Sequence, residues 1–138
     1  MSIIESIRDY IMTFPELKDG CLLLVDTLGA ESVEYAVEAV PADPVYKVYT
    51  DGEKVKQFLF VFASREFLNA DINTGIENLH FYEKFEDWIE ENDHSGIYPE
   101  LDGKEPVSLE VLTKGYVISS EDGTAKYQIQ LRLIYEED

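Results

Sequence analysis

QFLFVFASREF, residues 57–67, carries apolar side chains on both of its faces. With the two-residue period of a strand, Phe58, Phe60 and Phe62 point one way, and Leu59, Val61 and Ala63 the other. A strand that is dry on both sides is normally central, with cover above and below it. The apolar run then meets Arg65 and Glu66. A catalytic crevice at that point needs a parallel sheet whose strand order reverses. The surrounding sequence reads as hairpins instead. The pair therefore reads as the end of a strand, closed by an ion pair or by a contact between subunits, where Arg is favoured.

Upstream, VYKVYTDGEKVKQFLFVFAS, 45–64, has the form of a hairpin turning at Asp51–Gly52. PADP at 41–44 ends a preceding segment, SVEYAVEAV, 32–40. Val33, Tyr35, Val37 and Ala39 alternate there with Glu34, Ala36 and Glu38. This predicts a strand, although the Ala and Glu content also suits a helix. CLLLVD, 21–26, predicts a short buried strand. Ile3, Ile4, Ile7, Ile11 and Phe14 recur at helical spacing over 3–17, with Ser2 placed as N-cap and Pro15 disturbing the last turn.

Downstream, a second helix is predicted over about 75–92. Ile76, Leu79, Tyr82, Phe85, Trp88 and Ile89 make its apolar stripe, and TGIE at 74–77 fits a capping box on Thr74. Residues 93–106, rich in Gly, Pro and acid, predict a long loop and a contact arm that includes Tyr98. Two strands follow, 107–119 and 125–137. On the second, Tyr127, Ile129, Leu131, Leu133 and Tyr135 alternate with Lys126, Gln128, Gln130 and Arg132. The expected fold is α+β, a single domain over 1–138. An antiparallel-rich or mixed β-sheet carries both main helices packed on one face. Two helices leave the other face of the central strand short of cover, and another subunit is the expected remainder.

The chain has 138 residues and a formal charge of −18, from 11 basic and 29 acidic residues. Phosphate-backbone binders and proteins of anionic membrane surfaces are basic, so neither class fits. An acidic skin suits solubility, a basic partner, or proximity to nucleic acid without adhesion. Nine Tyr and seven Phe suit either interfaces or a packed core. The lone cysteine, Cys21, excludes an intrachain disulfide and reads as a core thiol. No signal-like segment and no apolar stretch of membrane-spanning length is visible.

Chemistry-bearing motifs are missing. The sequence has no Gly-rich phosphate loop, no HExxH and no GxSxG. His80 and His94 stand apart from any second His or Cys. DINTGIEN, 71–78, starts like a calcium loop but has Gly75 one position early and Tyr82 where a bidentate Glu belongs. No carboxylate pair stands out among the 29 acids. The expectation is no enzyme, no metal and no cofactor.

Four stretches together, IIESIRDYIMTFP (3–15), DPVYKVYTDGEKVKQFLFVFASREF (43–67), GIENLHFYEKFEDWIEE (75–91) and VLTKGYVISSEDGTAKYQIQLRLIYEE (111–137), carry a resemblance spanning nearly the whole chain. It resembles the small minor capsid or tail-terminator proteins of tailed phages and prophages of Gram-positive bacteria. The resemblance implies a non-enzymatic α+β subunit at the head–tail joint, capping the tail tube as an oligomer, in such families a hexameric ring. It implies the major tail protein and head connector proteins as partners, the virion as location, and the host cytoplasm during assembly. Arg65, Glu66, Leu59, Val61, Tyr98 and Tyr135 are the candidate interface residues. Two other functions stay open: an acidic adaptor or inhibitor of a basic protein, and a small carboxylate-based or metal-dependent enzyme.

Overall fold

The computed structural model describes residues 2–17, 23–25, 34–41, 45–48, 54–67, 72–113, 116–121 and 124–137, with backbone alone at 23–25, 34, 47–48, 65–67, 72–79, 116–121, 124–125 and 137. Cys21 and the Asp51–Gly52 turn lie outside the described residues. The elements in chain order are α1 (Ile3–Ile11), β1 (Leu23–Val25), β2 (Glu34–Val40), β3 (Val45–Val48), β4 (Lys54–Phe67), α2 (Ile72–Ser95), β5 (Lys104–Val111), β6 (Tyr116–Glu121) and β7 (Thr124–Glu137).

The seven strands form one sheet. Its path runs β1-β2-β4-β7-β5, with β3 also on β4 and β6 also on β7. Only β1–β2 is parallel; every other pairing is antiparallel. The fold is thus a mixed α+β domain with two main helices on an antiparallel-rich sheet, as the sequence predicts. β4 is central. It holds β2 and β3 along one edge and β7 along the other, in register from Val55↔Glu136 to Phe67↔Thr124.

The alternation sorts the two faces. Tyr35 and Val37 of β2, Phe60, Phe62 and Ser64 of β4, and Tyr127, Ile129, Leu131 and Leu133 of β7 are buried on the helix side. Against them α2 sets Tyr82, Phe85 and Ile89, and α1 sets Ile7, Ile11 and the following Phe14. Phe85 stacks on Phe62 with ring centroids 4.5 Å apart, and Phe14 meets Phe85 edge-on at 5.3 Å. Aromatic rings thus join sheet, α2 and α1 into one layer of core, where offset and edge-on contacts are favoured.

Local chemistry explains the helix ends. The Ser2 hydroxyl accepts from the Glu5 N–H at 3.3 Å, and the Glu5 carboxylate accepts from the Ser2 N–H at 3.2 Å. This capping box satisfies two donors that the helix leaves open. α1 stops at Ile11, earlier than the predicted 17. Thr13 and Phe14 donate to carbonyls three residues back, and Pro15 disfavours helix at the residue before it. α2 closes on Gly96, whose φ is +75°. The N–H of Ile97 bonds the Asn92 carbonyl at 2.8 Å and that of Gly96 the Asp93 carbonyl at 3.3 Å, a Schellman ending that needs a left-handed residue.

Several expected boundaries move. α2 begins at Ile72, so Thr74 lies inside the helix rather than at its cap, and residues 72–78 are helix rather than loop. The helix runs on to Ser95, which places His94 in its last turn and shortens the expected 93–106 loop to residues 96–103. The predicted strand 107–119 is two strands, β5 and β6, both paired to β7. β4 does not stop at Arg65–Glu66. Backbone pairing continues to Phe67, with Arg65 in register between Glu34 and Lys126.

Candidate interaction surfaces

The face of the sheet turned away from the helices is built from the other half of the alternation. Val61 lies in register between Glu38 of β2 and Gln130 of β7, and Leu59 between Val40 and Arg132. Small residues, Ala36 and Ala63, lie side by side next along the strands and are fully buried. Long polar chains bridge over this apolar floor. Lys126 reaches Glu38 at 3.3 Å, and the Arg132 Nε donates to Glu110 at 3.0 Å. The same Arg132 lies over the ring of Tyr46, 5.0 Å from its centroid. Tyr46 is 46% exposed, so one ring face is held by a cation while the residue remains open to solvent. Tyr and Arg held in place by neighbours, beside half-buried aliphatics, have the composition of an interface centre.

A second surface forms where α1 meets the segment after α2. Asp93 is its anchor. Its carboxylate accepts from the Tyr98 hydroxyl at 2.7 Å and from the Leu109 N–H at 3.0 Å, tying the helix end to β5. The Tyr10 hydroxyl donates to the Ile97 carbonyl and accepts from Asn92, each at 3.0 Å. Desolvation first, and then the hydrogen bond and charge of Asp93, push the Tyr98 phenol up to about 12. Burial also raises Tyr10. A cavity of about 290 Å³ opens beside these rings, with Ser6, Asp9, Tyr10 and Thr13 on one wall and Tyr98 and Glu100 on the other.

The six residues singled out in the sequence do not form one patch. Leu59 and Val61 sit on the outer sheet face, and Arg65 takes a register position on that same face. Glu66 is the next residue of the strand, and the side chains of both Arg65 and Glu66 lie outside the described residues. Val61 is already 4% exposed, and Tyr135 is buried on the helix side of β7. Tyr98 belongs to the surface at the helix end. Sequence reasoning did not single out Tyr46, Arg132 and Asp93. The first two carry a weak signal, an aromatic on the first arm of the predicted hairpin and an Arg interrupting a Gln-rich face. Asp93 carries none, because its role depends on where a helix ends.

Among the described residues no group of three or more His, Cys, Asp or Glu is placed to hold a metal ion. No described helix is long and apolar enough to cross a membrane. No protein-family model matches the chain, and no curated protein matches it either.

Proposed function

We propose that this protein is a non-enzymatic structural subunit of the head–tail joint of a tailed phage or prophage, assembling with copies of itself at the end of the tail tube. The observation that carries the reading is the outer sheet face. Leu59, Tyr46, Arg132 and Glu110 form there a preorganised patch on the side opposite both helices. A ring uses heterologous contacts, so each subunit must offer two different surfaces. The outer sheet face and the surface around Tyr98 are separate and differ in chemistry, which suits that requirement. The resemblance of the four sequence stretches supplies the biological setting. The charge of −18 agrees with a channel that must let DNA pass without holding it.

Deleting the gene from the phage genome that encodes it tests the reading. The expected result is heads without tails or tails of abnormal length, with joining restored by adding purified protein to the extract. Normal infectious particles from the deletion would refute the role.

A further inference from the structure

The cavity beside Tyr10 and Tyr98 has an unusual set of free groups. Both phenol hydroxyls are spent on the protein itself, on Ile97, Asn92 and Asp93. What faces an incoming group is therefore ring surface and carboxylate. Glu100 is exposed and makes no ion pair among the described residues, while Asp9 is held by its neighbour Arg8 at 3.2 Å. Ser6 lies in the wall, 4% exposed, with a hydroxyl that has no hydrogen-bond partner. That hydroxyl is itself closed off from solvent, so the contacts open to an incoming group are those of Tyr98 and the carboxylates.

Aromatic rings flanked by carboxylates select a cation. About 290 Å³ lies at the small end of ligand pockets and suits a single side-chain-sized group. A planar guanidinium stacks on a tyrosine ring and pairs a carboxylate at once, which an ammonium does less well. The residues next in sequence to the lining, Met12 and Ile97, are large, apolar and exposed, as at the rim of a protein contact. The acidic surface would steer a basic partner toward it. We infer that this cavity is a docking site for an arginine side chain of a partner protein, received against the half-buried ring of Tyr98 and paired to Glu100. The inference does not depend on the phage reading, since any basic partner could supply the arginine.

Nitrogen-15 NMR of the full chain tests it, with the blocked tripeptide Gly-Arg-Gly as probe and Gly-citrulline-Gly as its neutral isostere. Saturable shifts centred on Ser6, Tyr10, Tyr98 and Glu100 are expected with the arginine peptide only. Glu100→Gln should weaken them about threefold, the worth of an exposed ion pair. Tyr98→Phe, which keeps the ring, should retain binding. Equal responses to both peptides, or no saturable shift up to about 20 mM peptide, would overturn the site, because that concentration already admits very weak binding. A stronger response to putrescine than to the arginine peptide would overturn the choice of a protein side chain.

Discussion

The hydroxyls of Ser64 and Tyr82 lie 2.6 Å apart inside the core, where sheet and α2 meet. Tyr82 also donates to the Tyr127 carbonyl at 3.2 Å, so its proton is committed there and Ser64 is the donor to Tyr82. One phenol thus links β4, α2 and β7. Its ring fills the core while its oxygen satisfies two groups that have no water to turn to. Replacing Tyr82 by Phe keeps the ring and removes both bonds, leaving the buried Ser64 hydroxyl without the acceptor it has here. The expected cost is about 1–3 kcal/mol, the penalty for a buried group left unsatisfied. Ser64→Ala alone should cost less, and the double variant should cost less than the sum. Urea unfolding of the four proteins in the cycle measures this coupling; strict additivity would contradict it.

Phe85 is fully buried between Phe62 and Phe14. Truncation to Ala removes the ring that bridges the sheet to α1. A loss of about 3–5 kcal/mol is expected, from lost burial and the cavity left behind. A midpoint shift in denaturant worth less than about 1 kcal/mol would show that the site collapses around the gap.

The α2 stripe and the β7 alternation were legible because both are periodic. Tyr82, Phe85, Ile89, Ile129, Leu131 and Leu133 are buried as the patterns require, Trp88 of the stripe is half-buried, and the side chains of Ile76 and Leu79 lie outside the described residues. The centrality of β4 was legible for a similar reason, since a strand apolar on both faces is normally an interior strand of its sheet. Boundaries were not legible where tertiary pairing overrode local chemistry. Arg65 and Glu66 look like a strand end, yet β7 extends alongside both, and β2 alongside Arg65, and they keep the backbone paired. Asp93 to Ser95 look like loop, but the left-handed Gly96 lets the helix run on and close later. The candidate site was legible only in part. Leu59 and Val61 follow from alternation, whereas the Tyr46–Arg132 contact joins β3 to β7 across β4 and has no signature in any one segment.

Alkaline pH should expose the Asp93 network. The fold raises the Tyr98 phenol from 10.0 to about 12, because burial and Asp93 both oppose a phenolate. A raised value means that the folded state prefers the proton. Its stabilising effect is complete below pH 10.0 and is lost as pH rises toward about 12. Stability should fall across that window, and Tyr98→Phe should flatten the fall. Asp93→Asn should bring the Tyr98 phenolate transition back toward the ordinary value in an ultraviolet titration. A Tyr98 transition unchanged by Asp93→Asn would contradict the share of the shift assigned to Asp93 and leave burial as its cause.

Charge gives a prediction independent of assembly. With a formal charge of −18, the protein should not bind duplex DNA at about 150 mM salt, because phosphate contacts need basic groups. A mobility-shift assay at micromolar protein checks this, and saturable retardation would count against a DNA-repelling channel.

The outer sheet face gives the sharpest test of the proposed role. Tyr46 is exposed and its contact with Arg132 is at the surface, so Tyr46→Ser should change stability by no more than about 0.5–1 kcal/mol. Leu59 is half-buried between Val40 and Arg132, and Leu59→Gln keeps its length while removing its apolar end. If copies of the chain meet through this face, each substitution removes contact that the folded monomer barely uses. Both variants should therefore melt close to the parent protein and fail to restore head–tail joining in extracts of the deletion strain. Isolated protein is a poor substrate for this test. Subunits that each carry −18 repel one another, so in the proposed role a tube end would arrange them before a ring closes. Salt screens that repulsion, so self-association of the parent protein should increase from about 50 to about 500 mM salt, and the two variants should lag behind it. Variants that join tails as well as the parent would place the contact elsewhere, and the surface around Tyr98 would be the next to alter.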